Sequence, residues 1–145
     1  MKCDCVVPLL FIGPAPLADD DFQQLKALNV TAILSLETED DGPDGAIESE
    51  RSAAVEAGMS FTNLPVTDFD RLELLWKMPK CVAAVDRILA AGDTLYLHCT
   101  AGVNRSPTVA VAYLHGVLAV AFGTGVGAHS RLPRLFPGCG CHSQG

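Results

Sequence analysis

The stretch from Thr94 to Pro107, TLYLHCTAGVNRSP, constrains this chain more than any other. It opens as a short apolar run, breaks at Cys99 into a loop containing Gly102, and closes with Arg105 just ahead of an apolar segment of helical character. A loop between a strand and a helix N-terminus gathers backbone N–H groups at the positive end of the helix dipole, which suits a phosphate-sized anion. Cys99 stands at the mouth of that loop. Five residues separate it from Arg105, enough for one tight turn of backbone around a single tetrahedral oxyanion.

The preceding chain supplies matching parts. Residues 6–12 are rich in strand formers and end at Gly13-Pro14, a turn signal. Asp19, Asp20 and Asp21 precede Phe22, Leu25 and Leu28 at helical spacing, and acids at a helix start complement its free N–H groups. A second strand is expected over 30–36, a helix over 46–59 with Gly58 near its end, and a third strand over 60–66. Pro79 fits the first turn of a further helix, patterned by Val82, Val85, Ile88 and Leu89 and ending at Gly92. Residues 94–97 give the fourth strand. Strands alternating with helices imply crossover connections, so the fold class is α/β: a mainly parallel central sheet flanked by helices on both faces. Ligands of such sheets bind beyond the carboxyl ends of the strands. Asp68 and Cys99 each follow a strand, so their loops can meet.

Residues 37–50 hold seven carboxylates and no basic residue. Asp40-Asp41-Gly42-Pro43-Asp44-Gly45 is a loop by composition, and a solvated loop is expected there rather than a metal site. The chain's 145 residues suffice for one domain with a hydrophobic core. Its net charge of −7 argues against nucleic acid or an anionic membrane as the main partner. Six cysteines (Cys3, Cys5, Cys81, Cys99, Cys139 and Cys141) lack C-x-x-C spacing, so neither zinc nor any other metal is expected, although the Cys3/Cys5 and Cys139/Cys141-His142 pairs could meet in space. Residues 6–12 are too short and too interrupted, by Asp4 before them and Pro8 within, to read as a secretory leader. An intracellular, cytoplasmic protein with reduced thiols is expected.

Phosphate monoester chemistry needs a nucleophile, a counter-charge and an acid. Cys99 serves as thiolate, whose formation a helix N-terminus and a nearby arginine favour. Arg105 can hold two phosphoryl oxygens bidentately. The N–H groups of Thr100, Ala101, Gly102, Val103, Asn104 and Arg105 stabilise the remaining charge. Ser106 donates a hydrogen bond to the sulfur, and His98 orients the loop. Asp68 and Asp70 are the candidate acids.

The run His98-Cys99-Thr100-Ala101-Gly102-Val103-Asn104-Arg105-Ser106 resembles the H-C-x5-R-S/T signature of the cysteine-based protein tyrosine phosphatases, and the small size resembles their dual-specificity branch. The resemblance extends from about Val6 to Leu114. It implies an α/β sandwich with a shallow cleft, hydrolysis through a phosphocysteine intermediate, and no metal or other cofactor. It also implies that Asp68, thirty-one residues before Cys99, is the general acid rather than Asp70, twenty-nine before. The chain is similar as well to plant-type glucan phosphatases, through Asp68-Phe69-Asp70, Pro79 and Cys99-Thr100-Ala101-Gly102. Those have Gly before the signature Arg, where Asn104 stands here; Asn104-Arg105 is instead similar to phosphatases acting on RNA 5′ ends. The expected partner is a phosphorylated protein, with a phosphorylated glucan as the alternative, and neither nucleic acid nor membrane.

Two other classes stand beside the enzyme. One is a catalytically weak phosphate-binding module. The other is a membrane protein, suggested by the apolar run 108–121, which is short for a span and is better read as a buried central helix, apolar all round. Cys81 could form a disulfide with Cys99, but burial in a helix is the expected role. After about His115 the likeness ends. Residues 116–145 hold seven of the thirteen glycines and no acid, so the expected organisation is a catalytic domain over 1–115 and a Gly-rich, poorly ordered tail over 116–145, with the C-terminal helices incomplete.

Overall fold

The computed structural model describes residues 1–118; the expected tail and the Cys139/Cys141-His142 pair lie outside them but for residues 116–118. Five strands form one sheet in the order β1-β2-β5-β3-β4: β1 (Asp4–Val7), β2 (Leu10–Gly13), β3 (Ala32–Ser35), β4 (Ser60–Asn63) and β5 (Leu95–His98). Strands β2, β5, β3 and β4 are parallel, and β1 runs antiparallel at the edge. The single strand expected over 6–12 is therefore a hairpin. Pro8, which has no N–H to give a ladder, sits in the turn between β1 and β2 and divides the run.

Among the described residues four α-helices cover the sheet: α1 (Asp19–Ala27), α2 (Ala46–Glu56), α3 (Arg71–Ala90) and α4 (Arg105–Tyr113). Along β5 the side chains alternate. Leu95 and Leu97 join Ala84 and Val85 of α3 and Val109, Ala110 and Tyr113 of α4 in one core. Tyr96 joins Phe22 and Leu25 of α1 and Ala54 of α2 in the other. Burying each apolar face at about 25 cal/mol per Å² drives this two-sided arrangement. His98 ends the strand on the Tyr96 side, its ring stacked 5.8 Å from that of Tyr96.

Helix α1 starts as its acids predict, Asp21 accepting the N–H groups of Leu17 and Ala18. Two expectations about helices do not hold. Pro79 lies inside α3, not in its first turn. The helix starts eight residues earlier, at Arg71, because Asp70 caps it by accepting the Glu73 N–H at 2.9 Å. Leu74, Met78, Cys81 and Val85 carry its core-facing stripe past the proline. Pro79 is on the exposed side, where water can reach the carbonyl of Leu75 that the missing N–H would have bonded. Nor is α4 buried all round. Ser106, Val109, Ala110 and Tyr113 follow helical spacing and face inward, but Val111 is 64 % exposed. Beyond α4 the chain continues into a wider helical turn, Leu114–Leu118. No helix among the described residues is long and apolar enough to cross a membrane.

Candidate active site

The loop after β5 is shaped by a close approach of two glycines. Gly102 has φ +75, and a Cβ there would lie 2.5 Å from the carbonyl carbon of Gly13. Only glycine combines that backbone conformation with that contact. Gly13 pairs with His98 across the β2–β5 ladder, and the Ala15 N–H donates to Thr100 O at 3.1 Å, so the hairpin end fixes one wall of the loop.

Within the loop, Cys99 is buried, its sulfur 3.4 Å from Ser106 Oγ. Burial pushes its thiol pKa up. The Ser106 hydroxyl and the N–H groups of Ser106, Gly102 and Asn104, all directed at the sulfur, outweigh this and hold the pKa below its ordinary value. The expected belt of loop amides is thus present in part around the Cys99 sulfur itself. The side chains of Ala101 and Val103 point outward, Val103 being 79 % exposed.

Arg105 is 1 % exposed. Its Nη1 donates to Asp41 Oδ2 at 2.7 Å, Val66 O at 2.8 Å and Leu36 O at 3.3 Å. Nη2 donates to Thr100 Oγ1 at 2.9 Å and Asp41 Oδ1 at 3.3 Å. Burial works against its charge, but the hydrogen bonds and charge of Asp41, with Asp68 and Cys99 beyond, raise its pKa overall. Its Nε is buried without a hydrogen-bond partner among the described residues. A buried guanidinium beside the Cys99 loop with an N–H that makes no hydrogen bond is able to donate to an oxyanion.

Asp68 comes to the loop from the segment after β4, its Oδ1 3.4 Å from Arg105 Nε and 3.1 Å from Asn104 Nδ2. The two strand-end loops meet as the topology requires. Asp70 is turned to α3, so the two acids have separate tasks. Sequence reasoning passed over the ties that hold this segment. Glu73 accepts the Thr67 N–H at 2.8 Å, and Lys77 bridges Glu73 and Pro65 O, each at 2.7 Å.

The larger omission is the acidic segment 37–50, which is not simply a solvated loop. Asp41, from a 3-10 turn at Glu39–Asp41, holds Arg105; that contact and the N–H of Thr38 overcome burial and lower its carboxyl pKa. Glu37, buried just past β3, hydrogen-bonds the Thr100 side chain; burial, with His98 and Thr100 opposing it, raises its pKa. Glu50, buried in α2, meets His98 Nε2 at 2.5 Å, while His98 Nδ1 faces Cys99 O at 3.1 Å. His98 therefore orients the loop by its ring as well as by its place in the strand. Glu37, Glu50 and His98 have ligand atoms within 4.8 Å of one another. Each already serves a loop contact or the acid–imidazole pair, and that chemistry accounts for the cluster without an ion. One signal was readable: Glu50 falls in the buried stripe Ile47, Glu50, Ala54, where a charge needs a partner.

Cys81 is buried in α3, and it and Cys99 are both free thiols, as the expected packing role requires; Cys5, however, is disulfide-bonded, which departs from the expected reduced thiols.

Residues 10–118 match the model of the dual specificity phosphatase catalytic domain. The chain belongs to that family. Its relatives include the chloroplastic phosphoglucan phosphatase LSF1 of Arabidopsis thaliana, 26% identical over 117 residues, covering 79% of this chain and 20% of the relative. Dual specificity protein phosphatase 12 of Mus musculus is 31% identical over 110 residues, 75% of this chain and 30% of the relative. Laforin of Mus musculus is 26% identical over 130 residues, 78% of this chain and 38% of the relative. The chain thus spans well under half the length of these relatives. Its fold is that of DUSP15 (TM-score 0.59, 21% identity, 90% of this chain and 72% of that one). A putative phosphatase (DUF442) of Shewanella putrefaciens CN-32 is similar too, with TM-score 0.64, 18% identity, and coverage of 94% of this chain and 82% of the other.

Proposed function

We propose that the chain hydrolyses phosphate monoesters through a phosphocysteine intermediate, with phosphotyrosine and phosphoserine or phosphothreonine proteins as substrates. The observation that carries this is the buried Arg105 Nε, an unpartnered donor beside a thiol whose pKa is lowered by the same loop. Cys99 thiolate attacks phosphorus as the ester oxygen leaves. Arg105 and the loop amides hold the equatorial oxygens, and Asp68 gives its proton to the leaving oxygen. In the second step Asp68 takes a proton from water, which attacks phosphocysteine. The sulfur leaves as thiolate, stabilised by Ser106. Every group used lies within residues 1–115, the proposed catalytic unit.

A phosphorylated glucan is the second reading. It is favoured by an exposed aromatic beside the site, Phe69, which can stack on a sugar ring, and by the phosphoglucan phosphatase among the relatives. Turnover is to be compared on a phosphotyrosine peptide, a phosphothreonine peptide and a phosphorylated glucan. Both peptides should be hydrolysed, and Cys99→Ser should abolish turnover. Turnover that survives Cys99→Ser would refute the mechanism; none by well-folded protein would leave a phosphate-binding module.

A further inference from the structure

Asn104 heads α4, and its carbonyl accepts from Thr108 N and Oγ1, but its side chain caps nothing in that helix. An asparagine at this position ordinarily turns its side-chain oxygen onto the N–H of the second or third helical residue. Here Nδ2 reaches across to Asp68 Oδ1 at 3.1 Å instead. The segment it reaches is strained at that point. Phe69 is 84 % exposed and has φ +60, a left-handed conformation that a bulky side chain adopts only under constraint. The Phe69 N–H also donates to Oδ1, and the Arg105 charge lies 3.4 Å from it, so two donors and a cation gather on one oxygen of Asp68 and leave Oδ2 for the proton.

We propose that Asn104 is a positioning residue: it latches the Asp68 segment over the nucleophile loop and fixes which carboxylate oxygen meets the leaving group. The proposal rests on the phosphatase reading, with Asp68 as its acid. It gives Asn104 a task in the protonation step, separate from the binding of phosphate by its backbone N–H. Protonation matters little for a leaving group that is stable as an anion and greatly for an alkoxide. The latch should therefore show in the dependence of rate on leaving group, which a defect in folding or in phosphate binding would not move.

The test compares the full chain with Asn104→Ala and Asn104→Asp on p-nitrophenyl phosphate and on a phosphothreonine peptide. For Asn104→Ala, kcat/KM should fall about tenfold further on the peptide than on the aryl ester, the size expected for one hydrogen bond to a charged group. Asn104→Asp should open a gap as well, because a carboxylate has no N–H to give Asp68 Oδ1. If Asn104 served only as a helix cap, Asp would open no gap, since Asp caps as well as Asn and Ala does not. Equal losses on the two substrates for Ala, or no gap for Asp, would overturn the latch. Amide hydrogen exchange over residues 67–70, measured without substrate, gives a second arm. Both variants should exchange faster there, and unchanged exchange would also overturn it. Wild-type protein that turns over neither substrate would sink the phosphatase reading, while the exchange arm would still decide whether the latch exists.

Discussion

The nucleophile loop has two sides that differ in chemistry. Beneath it lie three carboxylates of the acidic segment, Asp41, Glu37 and Glu50, each bound to a loop or strand-end residue: Arg105, Thr100 and His98. Around its mouth lie exposed apolar side chains: Phe69 of the acid segment and Leu75 of α3, with Val103 of the loop. The underside is polar and largely buried, so its contacts, the Asp41–Arg105 ion pair above all, act at low dielectric and removing one partner strands the other. The rim is apolar and wet, so its residues do little for the fold and are placed to meet whatever carries the phosphate. Support and selection are thus divided between the two sides.

The sharpest way to break that division is Asp41→Ala. It leaves the Arg105 guanidinium buried without its main counter-charge, and a loss of about 3–5 kcal/mol is expected by chemical denaturation. A loss below about 0.5 kcal/mol, the range of ordinary surface changes, would show that the underside does not carry the arginine. Glu50→Ala, which removes the acid facing His98 Nε2, should cost about 1–3 kcal/mol and lower turnover on every phosphate ester alike. A loss confined to one substrate would place Glu50 in selection instead of support.

Acidification tests the same contacts with a definite sign. The Asp41 carboxyl is held below its ordinary 3.8 in the fold, so its contribution to stability is present above that value and disappears as pH falls through the lower, folded one. Stability should therefore fall more steeply below about pH 4 in the wild type than in Asp41→Asn, as followed by thermal melting. Parallel curves would contradict the assignment. The smallest effect on stability belongs to the rim. Phe69→Ala and Leu75→Ala should change it by less than about 0.5 kcal/mol while raising KM for a phosphopeptide and leaving that for p-nitrophenyl phosphate alone. A large loss of stability would mean that these side chains help hold the fold.

The same division explains what the sequence made legible. Cys99, Gly102, Arg105 and Ser106 lie within eight residues, and their spacing alone implies an anion loop between strand and helix. Strand β5 and the meeting of Asp68 with the loop follow from the alternation of elements. The underside was hidden because its partners are far apart in the chain: sixty-four residues separate Asp41 from Arg105, and forty-eight separate Glu50 from His98. A run of acids is usually solvated, and only the apolar neighbours of Glu50 in α2 indicate otherwise. Pro79 misled for a related reason. Local propensity places a proline at a helix start, but the cap at Asp70 and the buried stripe through Cys81 decide where α3 lies. The edge hairpin follows the opposite rule, with Pro8 ending the ladder as local chemistry requires.

The central claim is that the loop turns Cys99 into a nucleophile toward phosphorus. It is tested most directly by mixing Asp68→Asn, in which breakdown of the intermediate should be slow, with a phosphotyrosine peptide, quenching in acid and analysing the Cys99 peptide by mass spectrometry. The account predicts one phosphoryl group on Cys99, formed within the first turnover and absent from Cys99→Ser. Peptide hydrolysis by wild-type protein with no phosphoryl group trapped on Cys99 at any quench time, and with activity kept in Cys99→Ser, would contradict it.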